Sequence, residues 1–149
     1  MSPHPNIRIM KKYNDYTIYQ LVLQGRITMK VVYASRSGNV QKFVMKLGRN
    51  VDSIRIYDGT EKVNEDYLLI TFTDGKGMIP KAVETFIRGN LSHFKAAAVS
   101  GNQLRFPDSF CGAADQIAKK YEVPIIARFN GEGGGDDVDD VVDYLEEHA

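Results

Sequence analysis

Short apolar runs alternate with segments of helical periodicity along this chain from residue 29 onwards. Five runs are typical of strands, and they are residues 29–34, 53–57, 67–72, 96–99 and 124–129. The run at 67–72 is almost entirely apolar, as in a strand that is covered on both faces. Strands joined through helices run parallel, because the crossover returns the chain to the same end of the sheet. The pattern therefore predicts the α/β class, with a parallel sheet between two layers of helices.

Four helices are predicted, because apolar residues in four segments recur at intervals of three and four. These positions are Val40, Phe43, Val44 and Leu47; Val83, Phe86 and Ile87; Phe110, Ala113, Ala114, Ile117, Ala118 and Tyr121; and Val138, Val141, Val142 and Leu145. Five strands in this length suit a three-layer sandwich with strand order 2-1-3-4-5. Ligands of that architecture bind at the carboxyl ends of the strands, where the order reverses. The loops after strands one, three and four are therefore expected to converge on one site.

The length of 149 residues is that of one domain. The pattern assigns residues 29–149 to this domain and leaves residues 1–28 as an N-terminal extension, either an upstream leader or an added strand. Residues 1–50 hold nine basic residues and one acidic residue, a net charge of +8. Residues 51–149 hold ten basic and eighteen acidic residues, a net charge of −8. This asymmetry favours steering of a charged partner.

Composition argues against several classes of partner. Basic residues do not cluster with aromatic ones, so nucleic acid is not expected. No apolar run reaches membrane-spanning length and the first residues lack the apolar centre of a signal peptide, so we expect a cytoplasmic protein without membrane attachment. The single cysteine, Cys111, excludes an internal disulfide and a multi-cysteine metal site. Its place on the apolar side of the third predicted helix predicts a packed core thiol.

The segment between the first strand and the first helix reads Ser35-Arg36-Ser37-Gly38-Asn39-Val40. The first N–H groups of a helix have no carbonyl partner and lie at the positive end of its dipole, so such a turn can bind an anion. Ser35 and Ser37 add hydroxyl donors, and Gly38 permits a positive φ. Asn39 is a candidate helix cap. The predicted ligand is a terminal phosphate monoester, and an ordinary capped turn is the alternative.

Two further loops are predicted to lie beside this phosphate loop. The loop after the third strand reads Thr73-Asp74-Gly75-Lys76-Gly77, and its glycines let backbone approach a flat ring and let a peptide flip. The loop after the fourth strand begins Ser100-Gly101-Asn102, with Phe106 shortly after. A ligand that touches all three loops would have a phosphate tail, a polar linker and a flat heteroaromatic ring. Flavin mononucleotide (FMN) has this outline, although tight turns are the alternative reason for the glycines.

The motif Ser35-x-Ser37-Gly38-Asn39-Val40-Gln41-x-Phe43 resembles the phosphate loop of flavodoxins. More narrowly, it resembles that of the NrdI family, small flavoproteins that accompany class Ib ribonucleotide reductase. Further matching segments are Ile79-Pro80, Ser100-Gly101-Asn102, residues 106–118, Val123-Pro124, Phe129, Gly133 and Asp137. The chain departs from the family pattern at Asp74 and Lys76, in one extra residue before Phe106, and in the glycine-rich stretch 131–135.

The resemblance implies a flavodoxin-like fold with FMN as cofactor. Members of the family are reduced by a flavin reductase or similar donor and react with dioxygen. They deliver superoxide or peroxide to the dimanganese small subunit of class Ib ribonucleotide reductase, where a tyrosyl radical forms. By position, Ser35, Ser37, Asn39 and the N–H groups of Gly38 and Val40 would hold phosphate. Thr73, Gly75 and Gly77 would line the ring near N5. Ser100, Gly101 and Asn102 would meet the pyrimidine edge, and Phe106 would cover one ring face.

Two other functions stay open at this point. One is a general electron-transfer flavodoxin, and the other is an interaction domain that keeps the fold without flavin. Many flavodoxins place a Trp or Tyr against the flavin and are strongly acidic. The absence of Trp and the net charge of zero therefore favour the ribonucleotide reductase activator over the general electron carrier.

Overall fold

A computed structural model describes residues 29–148, and its centre is a parallel five-stranded sheet. The strands are β1 (Lys30–Tyr33), β2 (Ser53–Arg55), β3 (Tyr67–Phe72), β4 (Phe94–Gly101) and β5 (Ile125–Asn130). They lie in the order β2-β1-β3-β4-β5, and every neighbouring pair is parallel. The α/β class and the strand order predicted from the sequence are confirmed.

Four α-helices within residues 29–148 cover the two faces of the sheet. They are α1 (Asn39–Lys46), α2 (Lys81–Gly89), α3 (Gly112–Tyr121) and α4 (Gly135–Glu147). Short 3-10 turns at Leu91–His93 and Pro107–Ser109 precede β4 and α3. Helices α1 and α4 pack on one face, and α2 and α3 pack on the other. The expected three-layer sandwich is thereby confirmed.

Strand β3 lies at the centre of the sheet and is buried on both faces. Leu68 and Ile70 contribute to the core under α1 and α4, while Tyr67 and Leu69 contribute to the core under α2 and α3. Successive strand residues point to opposite faces, so both faces need apolar side chains. This double burial is the reason that the third strand reads as a continuous apolar run.

Several element boundaries differ from the sequence prediction by one or two residues, and those of β4 and α3 show why. Strand β4 has eight residues instead of the four predicted, because it pairs with β3 from Phe94 through Ser100. Helix α3 begins at Gly112 rather than at Phe110, because Cys111 has a left-handed backbone conformation (φ 54°) that does not continue a helix. The placement of Cys111 on that helix was therefore wrong, although its predicted burial is confirmed.

The predicted N-terminal extension, residues 1–28, lies outside the described residues. None of the helices in residues 29–148 combines the length and apolar character that a membrane crossing requires. That part of the chain also holds no cluster of three or more His, Cys, Asp or Glu side chains able to bind a metal ion.

Candidate functional site

The carboxyl ends of β1, β3 and β4 surround one cleft of about 250 Å³. These three strands are neighbours in the sheet, so the loops that follow them leave from the same edge. All three predicted loops contribute to the cleft wall, through Arg36, Ser37, Asn39, Thr73, Gly75, Ser100, Gly101, Asn102 and Phe106. The other predicted residues belong to the same loops but do not form the wall, and they are Ser35, Gly38, Val40, Asp74, Lys76 and Gly77.

The loop after β1 turns into α1 through Gly38, whose φ is 93°. A Cβ at this position would meet no atom within 4 Å, so glycine is required by backbone conformation and not by space. The prediction that Asn39 caps the helix was wrong, because Gly38 occupies the N-cap position and Asn39 is the first helical residue. The N–H groups of Asn39 and Val40 therefore have no side-chain cap, as anion binding at a helix N-terminus requires.

Ser35 supports the loop after β1 without lining the cleft. Its hydroxyl oxygen accepts a hydrogen bond from the Gln41 N–H at 3.3 Å, and its carbonyl accepts one from the Arg55 guanidinium at 2.8 Å. The Val40 side chain is buried in the core under α1, so only its backbone N–H remains for an anion. Ser37 is consequently the exposed hydroxyl donor of this loop.

Arg36 connects the loop after β1 to the loop after β3. Its guanidinium donates to the Asp74 carboxylate at 2.8 Å, and its central carbon lies 4.6 Å from the centroid of the Phe72 ring. Because the Arg36 side chain is 61% exposed, this ion pair contributes little to stability. The pair instead fixes the position of the Arg36 side chain, so that its guanidinium lies on the cleft wall between the two loops.

The β3 loop, residues 73–79, is closed by a pair of backbone hydrogen bonds. The N–H groups of Asp74 and Met78 each donate to the carbonyl of the other, at 2.8 and 2.9 Å. Gly75 (φ 50°) and Gly77 (φ 97°) lie between them in the left-handed region that favours glycine. Gly75 lines the cleft, whereas Gly77 is buried. The two glycines of this loop therefore have different surroundings.

Hydroxyl groups beside the β4 loop are bonded to the protein backbone. The Thr73 hydroxyl donates to the Ser100 carbonyl at 2.9 Å, which fastens the β3 loop to β4. The Ser100 hydroxyl donates in turn to the Gly131 carbonyl at 2.5 Å. Both residues line the cleft, but their hydroxyl protons are directed to these carbonyls and not to a ligand.

Asn102 closes its own turn at the start of the β4 loop. Its side-chain oxygen accepts the Arg105 N–H at 2.9 Å, and its carbonyl accepts the Phe106 N–H at 2.9 Å. Gly101 belongs to β4 and pairs with Asn130 of β5, so the groups able to contact a flat ligand here are the Asn102 N–H, the Phe106 ring and the face of the Gly101 backbone that lacks a Cβ. A Cβ on Gly101 would lie 2.7 Å from the backbone nitrogen of Cys111, so this wall requires glycine for space.

Four residues of the cleft wall were missed by the sequence prediction, and they are Phe72, Arg105, Ser109 and Cys111. Phe72 and Arg105 directly adjoin predicted residues, so extending each predicted set of loop residues by one position would have included them. The Cys111 thiol donates to the Val99 carbonyl at 3.4 Å, and burial raises its pKa to about 12. The thiol therefore stays neutral near pH 7 and is a poor nucleophile.

The chemistry of the cleft fits a ligand with an anionic end and a flat end. The N-terminus of α1, the Ser37 hydroxyl and the Arg36 guanidinium supply donors and positive charge for a phosphate. Gly75 and Gly101 present backbone without a Cβ, and Phe106 presents an aromatic ring. Thus a flavin nucleotide fits the residues that are present.

A family model described as NrdI flavodoxin-like matches residues 31–143 of the chain. The chain belongs to that family. Protein NrdI of Bacillus licheniformis is 37% identical over 112 residues, which cover 74% of this chain and 82% of that protein. The SPbeta prophage-derived protein NrdI of Bacillus subtilis is 30% identical over 118 residues, which cover 78% of this chain and 90% of that protein.

Among solved structures, the chain is similar to a short-chain flavodoxin associated with a PDU bacterial microcompartment. The TM-score is 0.56 at 18% identity, and the match covers 80% of this chain and 95% of the flavodoxin. At this identity the likeness shows the fold alone. The resemblance to the NrdI family found in the sequence is confirmed, and a flavodoxin-like NrdI family implies a flavin cofactor.

Proposed function

We propose that this protein binds FMN and, once reduced, supplies superoxide or peroxide to the dimanganese small subunit of a class Ib ribonucleotide reductase. The observation that carries the proposal is the convergence of three loops on one cleft, in a chain of the NrdI flavodoxin-like family. The family name implies association with ribonucleotide reductase, and the relatives bear the same name. A flavin reductase or similar donor supplies the electrons, and the protein acts in the cytoplasm.

The phosphate of FMN is proposed to bind at the N-terminus of α1. The N–H groups of Asn39 and Val40 and the Ser37 hydroxyl donate to its oxygens, and Arg36 offsets part of its charge. Ser35 and Gly38 act indirectly, since one braces the loop and the other provides its turn.

The flavin ring is proposed to lie between the β3 loop and the β4 loop. Gly75 approaches one part of the ring closely, while the backbone of Gly101 and Asn102 meets its polar edge and Phe106 covers a face. When bound, the flavin supplies the transfer of electrons to dioxygen. The role of the chain is to hold the ring, to shield it from bulk water and to set the hydrogen bonds around it.

Binding of the phosphate is tested by two matched glycine substitutions. Gly38 and Gly48 have φ values of 93° and 107°, and a Cβ on either would meet no atom within 4 Å. Both Gly38→Ala and Gly48→Ala should therefore cost about 1–2 kcal/mol of backbone strain, but only Gly38 lies in the phosphate loop. We expect Gly38→Ala alone to weaken binding of FMN, with binding of riboflavin unaffected, in a fluorescence titration of the flavin. Equal losses of FMN affinity in both variants would contradict the assignment.

The redox role is tested by mixing the reduced FMN-loaded protein with a manganese-loaded small subunit and air. Formation of a tyrosyl radical, detected by electron paramagnetic resonance, is the expected result. A protein that binds FMN and passes electrons to other acceptors but forms no radical would be the general electron-transfer flavodoxin. A protein that stays colourless with excess FMN would be the interaction domain.

A further inference from the structure

The two glycines of the β3 loop differ in what holds their carbonyls. The side-chain amide of Gln116, on α3, donates to the Gly77 carbonyl at 2.7 Å. The same amide nitrogen lies 3.5 Å from the sulfur of Met78. Gln116 thus reaches across from a helix to the loop, and the two residues joined by the stronger bond are 39 positions apart in sequence.

Helix α3 also packs directly against Gly77. A Cβ on Gly112, the first residue of α3, would lie 2.5 Å from the Gly77 Cα and 3.2 Å from its carbonyl oxygen. Such distances are too short for any residue but glycine, so backbone meets backbone here. The Gly77 peptide is therefore held by packing on one side and by a hydrogen bond to its carbonyl.

The carbonyl groups of the β3 loop differ in whether they accept a hydrogen bond. Within the described residues, the carbonyls of Asp74, Gly77 and Met78 each accept a hydrogen bond. Those of Gly75 and Lys76 accept none from that part of the chain. Gly75 lines the cleft, and a Cβ on it would meet no atom within 4 Å. Of the two carbonyls that accept no such bond, the Gly75 carbonyl therefore belongs to the residue that lines the cleft and has room to turn.

We propose that Gln116 is a positioning residue that holds the Gly77 carbonyl against α3, so that the Gly75 carbonyl, on the residue that lines the cleft, is left to turn into it. This inference rests on the proposed function, because the carbonyl would accept a hydrogen bond from the reduced flavin ring. The predicted role of Gly77 as a ring neighbour near N5 is replaced by a role as an anchor. Gln116 is not part of the cleft wall and acts through the loop.

Loss of the Gln116 hydrogen-bond donor should make the β3 loop more mobile without preventing FMN from binding in the cleft. A neutral hydrogen bond contributes about 1 kcal/mol, so opening of the Asp74–Met78 pair should become about five- to tenfold more frequent. A more mobile loop must lose conformational freedom before it holds one carbonyl in position for a hydrogen bond from the reduced flavin ring. The equilibrium constant for the first one-electron reduction of bound FMN should therefore fall by about three- to tenfold. Affinity for oxidised FMN should change less, by about twofold, because the phosphate loop is untouched.

The test compares Gln116→Leu, Gln116→Glu and a control, Lys119→Leu, in the full chain. Lys119 is exposed on the same helix and is not part of the cleft wall. In the flavin-free protein, nuclear magnetic resonance gives the carbonyl shift of Gly77 and the amide exchange rate of Met78. In the FMN-loaded protein, a redox titration gives the first one-electron equilibrium, and fluorescence gives the dissociation constant.

Both Gln116 variants should shift the Gly77 carbonyl and speed Met78 exchange, while Lys119→Leu leaves both near the original values. The Gln116→Glu carboxyl can donate only when protonated, so its Gly77 shift should return towards the original as pH falls from 7 to 4. A side chain at position 116 that only packs against the loop, without a hydrogen bond to the Gly77 carbonyl, would not produce this recovery. Unchanged Gly77 shifts, or an unchanged reduction equilibrium in a variant that binds FMN, would overturn the inference. Failure of the unaltered protein to bind FMN would instead overturn the proposed function.

Discussion

Substitution of Gly133 tests why the segment between β5 and α4 is rich in glycine. Its φ is 77°, and a Cβ on it would lie 2.8 and 3.0 Å from two carbons of the Phe43 ring and 3.1 Å from the Phe129 ring. Neither ring has room to retreat. They stack with centroids 4.0 Å apart and both are buried in the core under α1 and α4. The substitution Gly133→Ala therefore meets strain and overpacking together.

The expected loss of stability follows from these two effects. A left-handed conformation costs an ordinary residue about 1–2 kcal/mol, and overpacking of a core typically costs about 1–3 kcal/mol. The reduced freedom of the unfolded chain returns about 0.4–1 kcal/mol. We expect Gly133→Ala to lower the free energy of unfolding by about 1–5 kcal/mol and Tm by roughly 3–15 °C.

Gly135→Ala is the matched control, since Gly135 is the first residue of α4, has no positive φ, and a Cβ there would meet no atom within 4 Å. This variant should be as stable as the unaltered protein or more stable by up to about 1 kcal/mol. Urea unfolding followed by circular dichroism measures both free energies. If Gly133→Ala and Gly135→Ala unfold at the same urea concentration, the steric reasoning is refuted.

Three further predictions concern the cleft. Ser37→Ala should weaken FMN binding by about 10- to 100-fold, since a hydrogen bond to a charged group contributes about 1.5–3 kcal/mol; riboflavin binding, titrated in parallel, should not change. Gly101→Ala should weaken binding of both flavins by about tenfold or more, as its Cβ would displace Cys111; calorimetric affinities equal to those of the unaltered protein would argue against this. Burial raises the pKa of Cys111 from 9.0 to about 12, so the unfolded chain ionises first. The contribution of the buried neutral thiol to the free energy of unfolding should be complete below pH 9 and fall above it by at most about 1.4 kcal/mol per pH unit. Urea titrations from pH 8 to 11 should therefore show a shallower loss of stability with pH for Cys111→Ala than for the unaltered protein.

The fold was predictable because its signals are local. The third strand was predicted at the residues where β3 lies, since double burial demands an unbroken apolar run. The strand order followed from the alternation of elements, and with it the expectation that three loops meet. Boundaries set by long-range pairing were less accurate: the ends of β4 depend on its partner β3, and the start of α3 depends on the backbone of Cys111.

The amino-acid sequence by itself determined the architecture of this protein, the edge of the sheet that carries the cleft and most of the residues in its wall. Helical periodicity and the glycines at strand ends encode these features, and each such pattern spans only a few neighbouring residues. Only the tertiary structure decided that Arg36 pairs with Asp74, that Cys111 forms part of the wall and that Gln116 holds Gly77. Each of these contacts joins residues from separate elements, and no local pattern specifies which donor will meet which acceptor once the layers have packed.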